Sequence, residues 1–170
     1  MKKLTAILGL ALLSTGCGYH VAGTVSTLPK EIRTIAITPW KNVSTQYRFS
    51  DYIAAAVTRE FISRTRYTMV TDPAAADAVL TGAVANLQSA ATVFDPVTNR
   101  ATAAQIIVQV QVRLTGRDGK ILFDRPGLEF RDRYEISVNA QQYFDESQVA
   151  SERLARDIAR TIVSAVLESF

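Results

Sequence analysis

The sequence predicts an α+β fold, a two-layer sandwich in which two amphipathic helices pack on one face of a mostly antiparallel four-stranded sheet. Three patterns carry this expectation. Apolar side chains recur at helical spacing at Ile53, Val57 and Phe61, and again at Leu154, Ile158, Ile162, Val166 and Phe170. Between them Ile106, Val108, Val110, Val112 and Leu114 alternate with Gln105, Ile107, Gln109, Gln111 and Arg113, the period of a strand with one buried and one wet face. Asp118-Gly119 then supplies a turn, read as type I′, that reverses the chain into a partner strand. Helices with one apolar stripe and a sheet with one apolar face hide those surfaces only against each other.

Taken in order, the chain starts with Lys2-Lys3, an apolar run from Leu4 to Leu13, and the small residues Ser14, Thr15 and Gly16 before Cys17. This is the order of a secretory signal, with a charged region, an apolar region and a small-residue cleavage site. The run is too short to span a bilayer core of ~30 Å, which takes roughly 20 apolar residues. Cys17 is the single cysteine, so no internal disulfide explains it. Ser14–Cys17 resembles the lipobox, with Ser14 where an aliphatic residue is usual. The resemblance implies a diacylglyceryl group on the Cys17 sulfur, cleavage before it and an N-acyl chain on the new amine, with no other cofactor. Several acyl chains anchor stably because each buried CH₂ adds about 0.8 kcal/mol. Gly18, in place of Asp, stands at the second mature position, and the resemblance to lipoprotein sorting signals of diderm bacteria implies export to the outer membrane, facing the periplasm. The expected division is a signal peptide at 1–16, a lipidated tether at 17–30, and one domain at 31–170.

Strand one is expected over Ile32–Thr38, followed by a loop over Trp40–Ser44 and a helix of about four turns capped by Ser50, with Ala54 and Ile62 reinforcing its apolar stripe. Tyr67–Val70 is a short extended segment, Asp72-Pro73 a turn, and Ala78–Ala90 a long strand. Within it Gly82 marks a bulge or a close approach. A loop over Thr92–Ala101 leads to the alternating strand. Pro126-Gly127 interrupts that strand's partner, which resumes with Leu128, Phe130, Tyr134 and Ile136. The last helix is expected near Asp145, with Asp145 and Gln148 at capping-box spacing and with the pairs Glu152–Arg156 and Arg153–Asp157 on a solvated face.

The composition narrows the function. Of 170 residues 48% are hydrophobic, which excludes a disordered chain. Removing Lys2 and Lys3 with the signal leaves 17 basic against 16 acidic side chains, so nothing in the charge points to nucleic acid. No catalytic constellation is legible. The one histidine, His20, sits in the tether, Cys17 is consumed by lipidation, and Asp72, Asp77 and Asp95 fall at turns and strand ends, where carboxylates commonly bond the main chain. The chain is therefore read as a binding protein and not an enzyme. Its candidate ligand residues are Arg100, Arg117 and Lys120, which either solubilise turns or meet phosphates through charge-assisted bonds. A polar sheet face of Gln105, Gln109, Gln111, Arg113, Arg131 and Arg133 suits the water-filled lumen of an outer-membrane barrel.

The run Gly16-Cys17-Gly18-Tyr19-His20, with Gly23, Leu28-Pro29 and Thr34-Ile35-Ala36-Ile37, resembles the start of the LptE family of lipopolysaccharide-assembly lipoproteins. Ala76–Gly82 is similar to that family's second strand. The resemblance implies two helices on a four-stranded sheet, seated as a plug inside the LptD barrel, assisting its assembly and the transfer of lipopolysaccharide to the cell surface. The partners so implied are an LptD-like β-barrel, lipopolysaccharide and the membrane through the lipid anchor. Two other readings are another outer-membrane lipoprotein cofactor of similar fold, such as a secretion-pore subunit or cell-wall synthase activator, and a hydrolase with an unrecognised site.

Overall fold

The computed structural model describes residues 28–44, 46–137 and 140–170. The expected signal peptide, Cys17, His20 and most of the tether lie outside these residues. The chain enters at Leu28, whose N–H donates to the Tyr67 hydroxyl at 2.9 Å, a buried bond. Burial pushes the Tyr67 phenol up, and the bond from Leu28 opposes that shift.

Strand β1 (Thr34–Ile37) lies parallel to β3 (Thr68–Val70), the crossover between them being helix α1 (Arg48–Arg64). A two-residue strand β2 (Lys41–Asn42) and the long β4 (Ala78–Phe94), β5 (Ala101–Gly116) and β6 (Ile121–Glu135) complete a six-stranded sheet. Its order is β3-β1-β4-β5-β6, with β2 also pairing β4. The four-stranded, mostly antiparallel sheet expected from the sequence is thus corrected to a mixed one. Three short strands pair in parallel through crossovers, and the antiparallel character is confined to β4, β5 and β6.

Both helices cover one face, where Ile35, Leu80, Val84, Val108, Val110 and Leu114 are fully buried against Ile53, Val57, Phe61, Leu154, Ile158 and Ile162. The alternation of β5 falls as its sequence says. Helix α1 has no side-chain cap: it begins after Tyr47, and Ser50 sits buried within the first turn with its hydroxyl donating to the Tyr47 carbonyl at 2.9 Å. Asn42 orders that start, its amide donating to the Gln46 and Tyr47 carbonyls at 3.0 and 3.3 Å. Ile62 points away from the core and is 59% exposed. Helix α2 runs Ala140–Glu168, so Asp145 lies within it and not at its cap, while Phe170 lies beyond its end and is exposed. Its charges also pair differently from the expected i, i+4 scheme. Arg153 reaches across to Asp132 of β6 at 2.8 Å, and Asp157 meets Arg160 at 2.6 Å.

Register shifts decide which side chains face the core. Leu80, Gly82 and Val84 pair with Leu114, Val112 and Val110, but past a shift between Val84 and Asn86 it is Leu87 and Ser89 that pair with Val108 and Ile106. One extra residue, Ala85, moves the inward set from even to odd positions. In the same way Val110 pairs with Leu128 and Val112 with Arg125, so Pro126-Gly127 bulges out of β6 without ending it. Proline is tolerated because β6 is an edge strand.

Candidate binding surfaces

The uncovered sheet face and the two ends of the β4–β5–β6 meander are what the fold presents to a partner. At one end Ala78 pairs with Gly116; at the other Phe94 pairs with Ala101. At a rise of about 3.3 Å per residue, those ends stand about 50 Å apart.

The far end is the β4–β5 turn, where the loop expected over Thr92–Ala101 shrinks because both strands continue nearly to the tip. Asp95 builds it. One carboxylate oxygen accepts the N–H groups of Val97 and Thr98 at 2.9 and 2.7 Å and the Thr98 hydroxyl at 3.0 Å. These bonds, led by the one from the Thr98 N–H, hold the Asp95 carboxyl below its ordinary value. Asn99 takes a positive φ of 52°, which asparagine tolerates, and the Asp95 N–H donates to the Arg100 carbonyl at 2.8 Å. The Arg100 side chain is exposed and has no partner among the described residues.

The near end, where the chain enters, carries Arg117 and Lys120. The turn between them is not type I′, since only Gly119 takes a positive φ, of 81°. Gly119 N–H donates to the Gly116 carbonyl and Gly116 N–H to the Lys120 carbonyl, both at 2.9 Å, the bonds of a three-residue loop closed by a left-handed glycine. Arg117 is held internally, its Nε donating to the Ala76 carbonyl and its Nη2 to the Ala75 carbonyl at 3.1 Å, with Asp77 at 3.3 Å. Asp77 is itself a staple. It accepts the N–H groups of Arg33 and Thr34 at 3.0 Å and the Thr34 hydroxyl at 2.8 Å. Its carboxyl is held below the ordinary value chiefly by the Arg33 N–H, then by Thr34, with Arg117 a minor cause. The Lys120 side chain is exposed and faces a groove of about 440 Å³ shared with Pro29, Glu31 and Ile32. The structure therefore brings Arg117 and Lys120 together and sets Arg100 at the opposite end, so the three do not form one site.

On the open face Gln109, Gln111, Arg113, Arg131 and Arg133 are all exposed and Gln105 half-buried, as expected. The charges there are largely matched. Arg113 grips Asp124 of β6 through two bonds of 3.3 and 3.0 Å, which raises the Arg113 guanidinium further. Arg131 meets Glu129 at 2.6 Å, and Gln109 donates to the same carboxylate. Beside the Arg113–Asp124 pair lies a groove of about 430 Å³ floored by Thr81, Ala83 and Gln111 and walled by Thr38 and Lys41. Sequence reasoning missed this groove because Lys41 reaches it through β2, a strand too short to leave a periodic signal. The surface as a whole offers hydrogen bonds more than net charge. Among the described residues no cluster of three His, Cys, Asp or Glu side chains is placed to hold a metal, and no helix is long and apolar enough to cross a membrane.

No curated protein matches the chain. Solved structures share its fold. Lipoprotein B of Nitrosomonas europaea is similar at a TM-score of 0.59 and 17% identity over 89% of this chain and 96% of that one. The rare lipoprotein B of Shewanella oneidensis is similar at 0.55 and 14% over 80% and 95%. PelC of Paraburkholderia phytofirmans, a dodecamer, is similar at 0.54 and 12% over 84% and 91%. At such identities these likenesses speak to the fold alone. The family model for lipopolysaccharide assembly, LptE, matches residues 32–166, from just before β1 into the last turns of α2, and the chain belongs to the LptE family.

Proposed function

We propose that this chain is exported, cut before Cys17, and anchored there by diacylglyceryl and N-acyl chains in the outer membrane, facing the periplasm. Its domain then seats inside an LptD-like β-barrel, helps that barrel assemble and takes part in moving lipopolysaccharide to the cell surface. It does so as a plug and not as an enzyme. The observation that carries this reading, beyond family membership, is the open sheet face. A long face left uncovered by either helix, rich in glutamine and with Arg113 and Arg131 paired to carboxylates, fits a wet and polar lumen better than lipid.

Lipopolysaccharide phosphates would meet Arg100 at the far tip. Lys120, with Arg117 restrained beside it, would form a second cationic point at the membrane-anchored end. The test is affinity purification of the tagged lipoprotein from a diderm host, followed by identification of what comes with it. A stoichiometric large outer-membrane barrel supports the plug. A secretion pore or a cell-wall synthase in its place overturns it in favour of the alternative lipoprotein role, and the chain alone overturns both.

A further inference from the structure

The two long edges of this sheet are guarded very differently. Strand β6 carries seven charged residues and Pro126 among its 15, the usual means by which an exposed edge avoids pairing with another chain. Strand β4 has no charged residue and no proline among its 17. Its outer side is covered by β1 at Ala78–Leu80 and by β2 at Ala83–Val84. Beyond Val84 no described strand pairs with that side, and Gln88–Phe94 are exposed on both faces. Between Asn86 and Ala91 the register with β5 is unbroken, and the next shifts, between Ala91 and Val93 and between Val93 and Phe94, fall at the tip, so the centre of the open stretch is regular.

The apolar side chains left in solvent gather along this edge. Nine large ones are exposed among the described residues, and five of them, Val43, Tyr47, Val93, Phe94 and Val97, lie at its two ends. Val43 marks the near end, its N–H donating to the Val84 carbonyl at 3.3 Å, and Tyr47 follows in the loop tied by Asn42. Val93, Phe94 and Val97 mark the tip. Between the two ends the strand reads Gln88-Ser89-Ala90-Ala91-Thr92, small and neutral.

We propose that this edge pairs antiparallel with the same edge of a second copy, forming a two-fold dimer of the chain before it meets a barrel. The edge is self-complementary. A two-fold axis through Ser89, perpendicular to the sheet, sets Gln88 opposite Ala90 of the other copy and brings the Val93–Phe94 end of each copy to Val43 of the other. Apolar ends then meet apolar ends across a neutral centre, with no like charges to oppose them. The pairing continues the sheet through main-chain hydrogen bonds, as in strand addition. It does not rest on the barrel reading above.

Sedimentation equilibrium of the intact lipoprotein in density-matched detergent tests it, over a concentration series. The wild type is expected to dimerise. Gln88→Lys with Ala90→Lys places two like-charge pairs across the axis and is expected to weaken the dimer about tenfold, and Gln88→Glu with Ala90→Glu to do the same. Mixing the lysine and glutamate forms is expected to restore the pair as a heterodimer, which shows that both forms are folded. Gly127→Lys on the β6 edge, where a side chain meets open space, is the control and leaves the dimer intact. A monomer at every concentration overturns the proposal. So does a dimer indifferent to both charge pairs, or one that mixing fails to rescue.

Discussion

The indole of Trp40 lies directly against Gly82: a Cβ built on that glycine would stand 2.3 Å from ring atoms Cδ2 and Cε2. Trp40 is 6% exposed, and Gly82 pairs with Val112 with no shift in register on either side of it. The glycine expected to mark a bulge or a close approach is a seat for a ring that closes the core just before β2 joins β4.

Gly82→Ala is expected to destabilise the domain by about 1–3 kcal/mol, the usual cost of overpacking a filled core. Trp40→Leu should lower the penalty of the added methyl, because the ring that clashes with it is gone. Urea unfolding of the two single variants and the double variant measures the coupling. Additive effects would show that the ring and the glycine do not share the space.

The faces of α2 lead to a second expectation. Ile158 is fully buried while Arg156 is exposed. Ile158→Ala should cost about 2–5 kcal/mol and Arg156→Ala less than about 0.5. Thermal unfolding of the two variants checks this, and equal shifts would contradict the packing of α2.

Acid stability should depend on Asp77. Its native carboxyl lies below the ordinary 3.8, so the unfolded chain takes up a proton first as pH falls. The stability it contributes is complete above that value and is lost as pH falls through the native one. Asp95 is shifted in the same direction and acts in the same window. Asp77→Asn is expected to flatten the fall in urea midpoint below about pH 4 and to lower the midpoint at neutral pH. A variant with the wild-type slope would show that the staple to Arg33 and Thr34 does not govern the acid limb.

Anchoring is expected to depend on Cys17 alone. Cys17→Ala should leave the precursor uncut by the lipoprotein signal peptidase and absent from outer-membrane fractions. Metabolic labelling with palmitate reads this out directly, and label retained by the variant would place the anchor elsewhere.

Much of this molecule could be read from its sequence wherever a period was long enough to speak. The inward set of β5 and the buried stripe of α2 from Leu154 to Val166 stand where their spacing put them. The rest was hidden for identifiable reasons. The bulge at Ala85 switches β4 between even and odd inward positions, which blurs its alternation. Strand β2 is held by main-chain pairing over two residues and leaves no side-chain pattern. Arg117 spends its guanidinium on the carbonyls of Ala75 and Ala76, far away in sequence, and no spacing announces such a bond. The separation of Arg100 from Lys120 was equally illegible. It depends on both strands of the hairpin continuing almost to the tip.

That separation governs the last expectation, which concerns lipopolysaccharide. If the ligand's phosphates meet exposed cations, Arg100 and Lys120 must act as independent points, because the length of the hairpin, about 50 Å, lies between them. Charges that far apart are several screening lengths removed at physiological salt, where the Debye length is about 8 Å. Removing each should therefore have an additive effect on binding free energy. Each cation is exposed, so its contribution is screened by solvent and each single change should weaken binding only several-fold, about 1 kcal/mol. Arg117→Ala differs, since it also breaks the bonds to Ala75, Ala76 and Asp77 and should lower stability as well as affinity. The measurement is lipopolysaccharide binding by wild type, Arg100→Ala, Lys120→Ala and the double variant at matched salt, with thermal unfolding run alongside. Coupled losses would mean that one ligand bridges both ends of the domain. Unchanged affinity in the double variant would mean that these cations only solubilise turns, and that the chain works through its polar face and its barrel.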